Sequence, residues 1–298
     1  MFERKSEFAP TAARPRIAPD VRAAYERCRA ITQDASKTFY LASLFLAGEK
    51  RRAVWAVYAF CRTADDVVDR TAPAGDRLHA LAELERKLVA AYAGDASEPI
   101  FIAYADAARR FGIPIEPALA LLRGARMDVT IRRYATYEEL CEYCYLVAST
   151  VGLLVSPILG YASPEALEYG ILLGRAMQLT NILRDVGEDA LMGRIYLPAE
   201  DLARFGYPEG RVFEQAVDDR FVALMRFEIE RVRALYAQAE PGIAMLSAES
   251  RYTVRLALSL YRRILRAIER NDYNVFTRRA YVPLRSKLAT ALAVAIAR

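Results

Sequence analysis

Proline and glycine punctuate this chain at intervals that leave room for helices and little else. Breaks fall at Pro19, Pro73–Gly75, Gly94–Pro99, Gly112–Pro117, Gly160–Pro164, Gly193–Pro198, Gly206–Gly210 and Pro241–Gly242. Between them apolar residues recur at helical spacing. Over residues 51–69, Val54, Tyr58, Cys61, Ala64 and Val68 fall on one side. Thr136-x-x-Glu139 reads as a capping box that opens a helix to about Ser156. Ser163-Pro164-Glu165 reads as N-cap, first helical position and first-turn acid of a helix running to about Asp189. No alternating strand pattern, short-period repeat or linker interrupts the series. The expectation is all-α: a single helical domain over residues 20–298, preceded by a loose tail over residues 1–19.

Composition narrows the function classes. At 298 residues, 54% of them apolar, a sizeable core is within reach. Cys28, Cys61, Cys141 and Cys144 are too few and too irregularly spaced for a secreted disulfide scaffold. They point to a reducing, cytoplasmic compartment, with Cys141 and Cys144 read as core rather than as a metal pair. A single histidine, His79, leaves His-based triads, zinc sites and ferritin-like di-iron sites short of ligands. The N-terminus carries no apolar signal-peptide core. Leu146–Tyr161 is broken by Ser149, Thr150, Gly152, Ser156 and Pro157, and the run Leu288–Ala297 is short. Neither supplies the ~20 apolar residues of a membrane span, which leaves peripheral membrane contact open. Residues 221–298 hold 14 Lys/Arg against 6 Asp/Glu. A basic stretch of this kind suits phosphates, nucleic acid or an acidic membrane face, or is simply a solvated helical surface. No nucleic-acid-binding motif accompanies it.

Two segments stand out: Tyr58-Ala-Phe-Cys-Arg62-Thr-Ala-Asp65-Asp66-Val-Val-Asp69 and Gln178-Leu-Thr-Asn181-Ile-Leu-Arg184-Asp185-Val-Gly-Glu188-Asp189. Each holds Asp-x-x-x-Asp on an expected helix, which puts both carboxylates on one face, one turn apart. Spacing alone is weak. With 37 acids in the chain, roughly four or five such pairs arise by chance, and Glu138/Glu142 reads as a solvated one. The setting carries more weight, because Val67, Val68, Ile182, Leu183 and Val186 mark both helices as mostly buried. Like charges at this spacing destabilise a helix, and burial sharpens the cost. A divalent cation on oxygen ligands would resolve it, and the absence of His and Cys favours Mg²⁺ over zinc. So few protein ligands leave room for phosphate oxygens, and Arg62 and Arg184 offer cationic forks for them. Each arginine could instead pair with an aspartate on its own helix. From residue types alone, metal binding and solvated acids both stand.

Together with Ser36-Lys37-Thr38-Phe39-Tyr40, Arg52-Ala-Val-Trp55, Tyr143-Cys144-Tyr145 with Val147–Gly152, Gly193-Arg194-Ile-Tyr196-Leu-Pro198 and Tyr273–Val282, these segments form an ordered set over about residues 25–290. In that order the chain resembles the squalene/phytoene synthase family, most of all its bacterial phytoene synthases. The resemblance implies an all-helical isoprenoid synthase bundle around a central cavity. It implies that Asp65, Asp69, Asp185 and Asp189 bridge Mg²⁺, with Asn181 as a further ligand and Mn²⁺ as the alternative metal. Arg62, Arg184 and Tyr145 join the aspartates in catalysis. Ser36, Lys37, Thr38, Tyr58, Arg62, Gln178, Arg184, Tyr196, Tyr261 and Arg279 are the implied diphosphate or substrate contacts. Some relatives place His before the Ser-Lys pair, where this chain has Ala35.

The implied reaction is head-to-head condensation of two geranylgeranyl diphosphates to phytoene through a cyclopropyl diphosphate, a step of carotenoid biosynthesis that needs no NADPH. Phe39 and Ser43 lie one turn apart on a helix that the resemblance sets beside the cavity. The small Ala42, Ser43 and Ala47 lean toward a C20 chain. The alternatives are a C15 sister activity, making dehydrosqualene, squalene or presqualene diphosphate, and a non-enzymatic helical assembly factor. The intact aspartate pairs speak against the last. An insoluble C40 product adds an expectation of membrane association by the basic face.

Overall fold

A computed structural model describes residues 19–296. The expected tail over residues 1–19 lies outside the described residues except for Pro19, which opens the first helix. The helices follow as α1 (Pro19–Ala35), α2 (Lys37–Ser43), α3 (Gly48–Val68), α4 (Ala74–Tyr92), α5 (Pro99–Phe111), α6 (Glu116–Thr130) and α7 (Tyr137–Cys144). A π segment (Tyr145–Ser149) leads directly into α8 (Thr150–Leu159). Then come α9 (Glu165–Leu191), α10 (Ala199–Arg204), α11 (Glu209–Phe213), α12 (Asp219–Ala239), α13 (Ala248–Arg270) and α14 (Leu284–Ile296). Among the described residues no strand forms, and one isolated antiparallel bridge joins Tyr161 to Leu246.

Local chemistry sets the boundaries. Glu139 N–H donates to Thr136 Oγ1 at 3.2 Å, while the Glu139 carboxylate reaches back to the Ala135 N–H at 2.6 Å. This is the capping box expected at α7, displaced by one residue on its return arm. Asp218 caps α12 through the N–H groups of Arg220 and Phe221. α5 stops at Gly112, whose φ of 64° is the left-handed conformation that glycine adopts without strain. At α9 the expectation shifts by one position: Glu165 is the first helical residue, and Pro164 stands at the cap with no side-chain cap bond.

Two large apolar cores divide the bundle, and a smaller cluster ties α14 and Ala42 of α2 to α13. One gathers α1, α3, α4, α5 and α6 with the end of α8; the other gathers α7, α9, α12 and α13. Val254 packs against both. α9 runs through the middle. It approaches α8 so closely that a Cβ on Gly152 would lie 2.6 Å from the Gly170 carbonyl oxygen. A Cβ on Gly174 would lie 2.6 Å from the Ala148 oxygen in the π segment. The continuous helical stretch Tyr137–Leu159 is, by length and composition, able to cross a membrane, which the segmented reading of Leu146–Tyr161 did not anticipate. Here it packs within the bundle on α6 and α9. All four cysteines are free, and Cys144 is buried core.

Candidate active site

The C-terminal end of α3 and the C-terminal half of α9 face each other across a cleft of about 360 Å³. Arg62, Asp65 and Asp69 form one wall, and Gln178, Asn181, Arg184, Asp185, Glu188 and Asp189 the other. Each wall is a helical stripe of three- and four-residue steps, as the spacing predicts. Asp69 is the cap residue that ends α3, so its carboxylate stands at the helix end. Val68, Val147 and Ile182 supply apolar lining. Val147, Val151 and Val155 continue as a half-buried stripe down the π segment and α8.

Both arginines of the two motifs pair within their own helix. Arg62 Nη2 lies 2.5 Å from Asp66. Arg184 forms a fork on Asp185 at 2.8 and 2.5 Å. Arg279, from the segment before α14, adds contacts to Asp185 at 3.3 Å and Glu188 at 3.1 Å. Asp185 is thus neutralised from two sides. Asp65 and Asp189 are not, and each carboxyl is pushed up to about 7. Burial is the first cause for both. Solvent reaches Asp65 through the cleft, but protein encloses it on the remaining sides. Arg62 pulls the Asp65 value back down, while Asp128 and Asp69 push it up; Asp185 adds to the rise at Asp189. These carboxylates lack a cationic partner of sufficient strength, which is the condition a bound divalent cation relieves.

The sequence reading gave no role to Asp128 or Arg194, which join the two walls. Asp128, from the last turn of α6, accepts hydrogen bonds from Tyr143 Oη at 2.9 Å and Tyr196 Oη at 2.7 Å. Tyr134, Tyr143 and Tyr196 stack with centroids 5.3–5.8 Å apart. Burial raises the Asp128 carboxyl, and the two hydroxyls oppose that rise. Arg194, almost wholly buried, lies 4.0 Å from Asp69 and acts electrostatically on Asp128 and Asp189. Its Nε has no hydrogen-bond partner. The available signal was a lone acid on an apolar face: Asp128 shares the side of α6 that carries Leu121, Ala125 and Val129.

Several expected site residues lie elsewhere. Tyr145 is not part of the cleft lining and is partly solvent-exposed; Tyr143, two residues earlier, takes that place. Two positions along a helix turn a side chain by about 200°, so the two tyrosines cannot share a face. Ser36 caps α2 by accepting from Phe39 N–H at 3.3 Å. Lys37 is exposed and donates to the Gln33 carbonyl. Ser36, Lys37 and Thr38 are outside the lining. Tyr58 and Tyr261 stand behind it: Tyr58 stacks on Phe39 at 4.8 Å, and Tyr261 neighbours Arg184 and Asn181. Ser43 is buried and accepts a hydrogen bond from Trp55 Nε1 at 2.8 Å.

Among the described residues no three carboxylate, imidazole or thiol side chains converge into a ready-made metal cage. Oxygen donors are nonetheless at hand. The Asn181 Oδ1 is buried without a hydrogen-bond partner, beside Asp185 on the same wall. An arrangement of hard oxygen ligands spread over two walls suits a cation that completes its shell with ligand oxygens. Helical walls, facing acids and flanking guanidinium groups define an all-α protein with oxygen donors and cationic forks gathered in one cleft.

Comparison with known proteins agrees. The model of the squalene/phytoene synthase family matches residues 32–286. The 15-cis-phytoene synthase of Synechococcus elongatus is 44% identical over 279 residues, 90% of this chain and 91% of its own. The phytoene synthase of Arthrospira platensis is 46% identical, covering 89% of this chain and 90% of that one. A dehydrosqualene synthase crystal structure superposes with a TM-score of 0.88 at 34% identity, over 93% of this chain and 97% of that one. The fold is the isoprenoid synthase helical fold, and the chain belongs to the squalene/phytoene synthase family.

Proposed function

We propose that this protein is a prenyltransferase that condenses two geranylgeranyl diphosphates head to head to give phytoene. The single observation that carries this reading is the pair of facing acidic walls in one cleft, in a chain 44–46% identical over most of its length to phytoene synthases. Asp65, Asp69, Asp185 and Asp189, with Asn181, hold the metal, for which Mg²⁺ fits the all-oxygen donor set better than zinc. When bound, the cation stabilises charge on the departing diphosphate.

The chain's own groups do the rest. Arg62, Arg184 and Arg279 exchange their carboxylate partners for phosphate oxygens, to which a planar fork is equally suited. The first substrate ionises, and its allylic carbon bonds to the double bond of the second. Loss of one proton closes the cyclopropane ring. The second diphosphate then leaves, the skeleton rearranges, and loss of a further proton sets the central double bond. Two diphosphates and two protons leave for each phytoene formed, so no reductant enters. Val68, Val147 and Ile182 keep water from the cation, which would otherwise end as an alcohol.

The test is incubation of pure protein with geranylgeranyl diphosphate and Mg²⁺, without NADPH. Phytoene and diphosphate in a one-to-two ratio are expected. Turnover of farnesyl diphosphate alone would favour the C15 reading, and no diphosphate release would overturn the synthase.

Two further outcomes follow from the cleft. Asp65 and Asp189 titrate near 7 in the metal-free fold and near 3.9 when unfolded. Between those values the folded chain holds protons that the unfolded chain has released. Metal-free stability therefore falls as pH rises through that window. Mg²⁺ binds only the ionised carboxylates, so its gain in Tm is small at pH 6 and larger at pH 8. A gain independent of pH would refute the assignment. Asp128 holds Tyr143 and Tyr196 in place without lying among the proposed metal ligands. Asp128→Asn should lower kcat about ten- to a hundredfold with little change in KM, read by steady-state turnover.

A further inference from the structure

The segment that delivers Arg279 to the cleft is fastened at several points. α13 ends at Arg270, and the chain then turns through Asp272 and Tyr273, whose φ values are 53° and 59°. Among the described residues Gln215 is the only other non-glycine residue with positive φ. Left-handed backbone is costly for a residue that carries a Cβ, and two in succession persist only where the surroundings hold them. Here they do. Asp272 N–H donates to the Glu269 carbonyl and Tyr273 N–H to the Ile268 carbonyl, each at 3.0 Å. Arg226 of α12 donates from Nε to Tyr273 Oη at 3.2 Å. Asn274 Oδ1 accepts from the N–H groups of Phe276 and Thr277, and Asn271 Nδ2 donates to the Arg278 carbonyl at 3.1 Å. The Phe276 ring packs on the buried Phe221 ring, centroids 4.9 Å apart.

This strap lies directly on α9, between the acids. A Cβ on Gly187 would lie 2.7 Å from both Phe276 Cα and the Val275 carbonyl oxygen. Glycine is disfavoured inside a helix, so one buried in α9 calls for a packing reason, and the contact of backbone on backbone supplies it. Asp185 and Glu188 flank Gly187 in sequence. Arg279, three residues past Phe276, reaches back to that pair at 3.3 and 3.1 Å. The next residue, Ala280, is buried core. The Arg279 side chain is 56% exposed, so its aim depends on where the strap sets its Cα. Neither Gly187 nor the turn lines the cleft. We propose that Gly187 and the Asp272–Tyr273 turn are positioning residues, which seat the strap on α9 so that the Arg279 guanidinium meets diphosphate at the acidic wall. The inference rests on the reading of Arg279 as a diphosphate contact and extends it to residues that touch no substrate.

The experiment is titration calorimetry of the full chain with inorganic diphosphate in the presence of Mg²⁺, read as Kd. Arg279→Ala should weaken binding at least about tenfold. Gly187→Ala sets a methyl group against backbone that no side-chain rotation can clear, so the strap must lift, and Kd should rise about fivefold or more. Asp272→Pro locks φ at about −65° and abolishes the turn, with a similar rise expected. Asp272 is exposed, so this variant carries the test should Gly187→Ala fail to fold. Asp272→Gly adopts the left-handed conformation freely and should leave Kd within about twofold of the parent. The decisive measure is the double-mutant cycle. In an Arg279→Ala background, Gly187→Ala or Asp272→Pro should cost less than about twofold more, because the contact they aim is already gone. Additive losses would overturn the positioning role while leaving the diphosphate site standing. A parent that binds no diphosphate, or an Arg279→Ala variant that binds it as tightly as the parent, would overturn the diphosphate reading and the proposal with it.

Discussion

Asp189→Asn is expected to cut hydrocarbon formation by about a thousandfold or more, with the protein folded. The loss is large because the carboxylate is asked to hold a cation opposite charge that develops as diphosphate leaves. Removing one such preorganised contact costs on the order of 10²–10³ in rate, and the metal's own affinity falls with it. A second measurement separates this from misfolding. Asp189 is raised to about 7 chiefly by burial, with Asp185 adding like-charge repulsion. The amide relieves both, so metal-free Asp189→Asn should melt no lower than the parent at pH 8. It should also lose much of the Mg²⁺-dependent gain in Tm. A variant that keeps that gain while losing activity would show that Asp189 acts on something other than the metal.

The second large effect concerns packing. Gly174→Ala places a Cβ 2.6 Å from the Ala148 oxygen and 2.7 Å from Ser149 Cα. Both are backbone atoms of the neighbouring element and cannot rotate away. Alanine gains about 1 kcal/mol of helix propensity over glycine, but overpacking costs about 1–3 kcal/mol and more where backbone must move. The clash wins. A fall in Tm of about 5 °C or more is expected by calorimetry. Gly75→Ala is the contrast, because a Cβ there meets nothing within 4 Å and its φ is not positive. That change should be neutral or slightly stabilising. Equal effects at the two positions would remove the steric account.

Much of this architecture was legible in residue order. The capping box at Thr136 and the acidic stripes on α3 and α9 are local patterns, governed by spacing along one helix, and the structure carries them. What failed to show was which of the partners within reach each side chain takes. Arg62 and Arg184 satisfy neighbours on their own helices, an option that spacing permits but does not choose. Asp128 and Arg194 meet the aspartates only because α6 and the segment after α9 close the same cleft. Ser36 spends its hydroxyl on a cap, a use that the motif alone cannot distinguish from ligand contact. The run Leu288–Ala297 was read for length and found too short to span a bilayer. Which of its sides faces outward was decided by α13.

The π segment begins two residues after Tyr143 and joins α7 to α8. A wider turn absorbs one residue more than an α-helical turn does, so α7 and α8 keep their facing across it. Excising a single codon within 145–149 would let the two helices fuse into one regular rod, with Tyr143 still turned to the cleft. Losing one codon from the regular turns of α8 instead would swing the upstream half, Tyr143 included, by about 100°. Where a single-residue gap falls in a homologue therefore says more about its chemistry than its overall identity does.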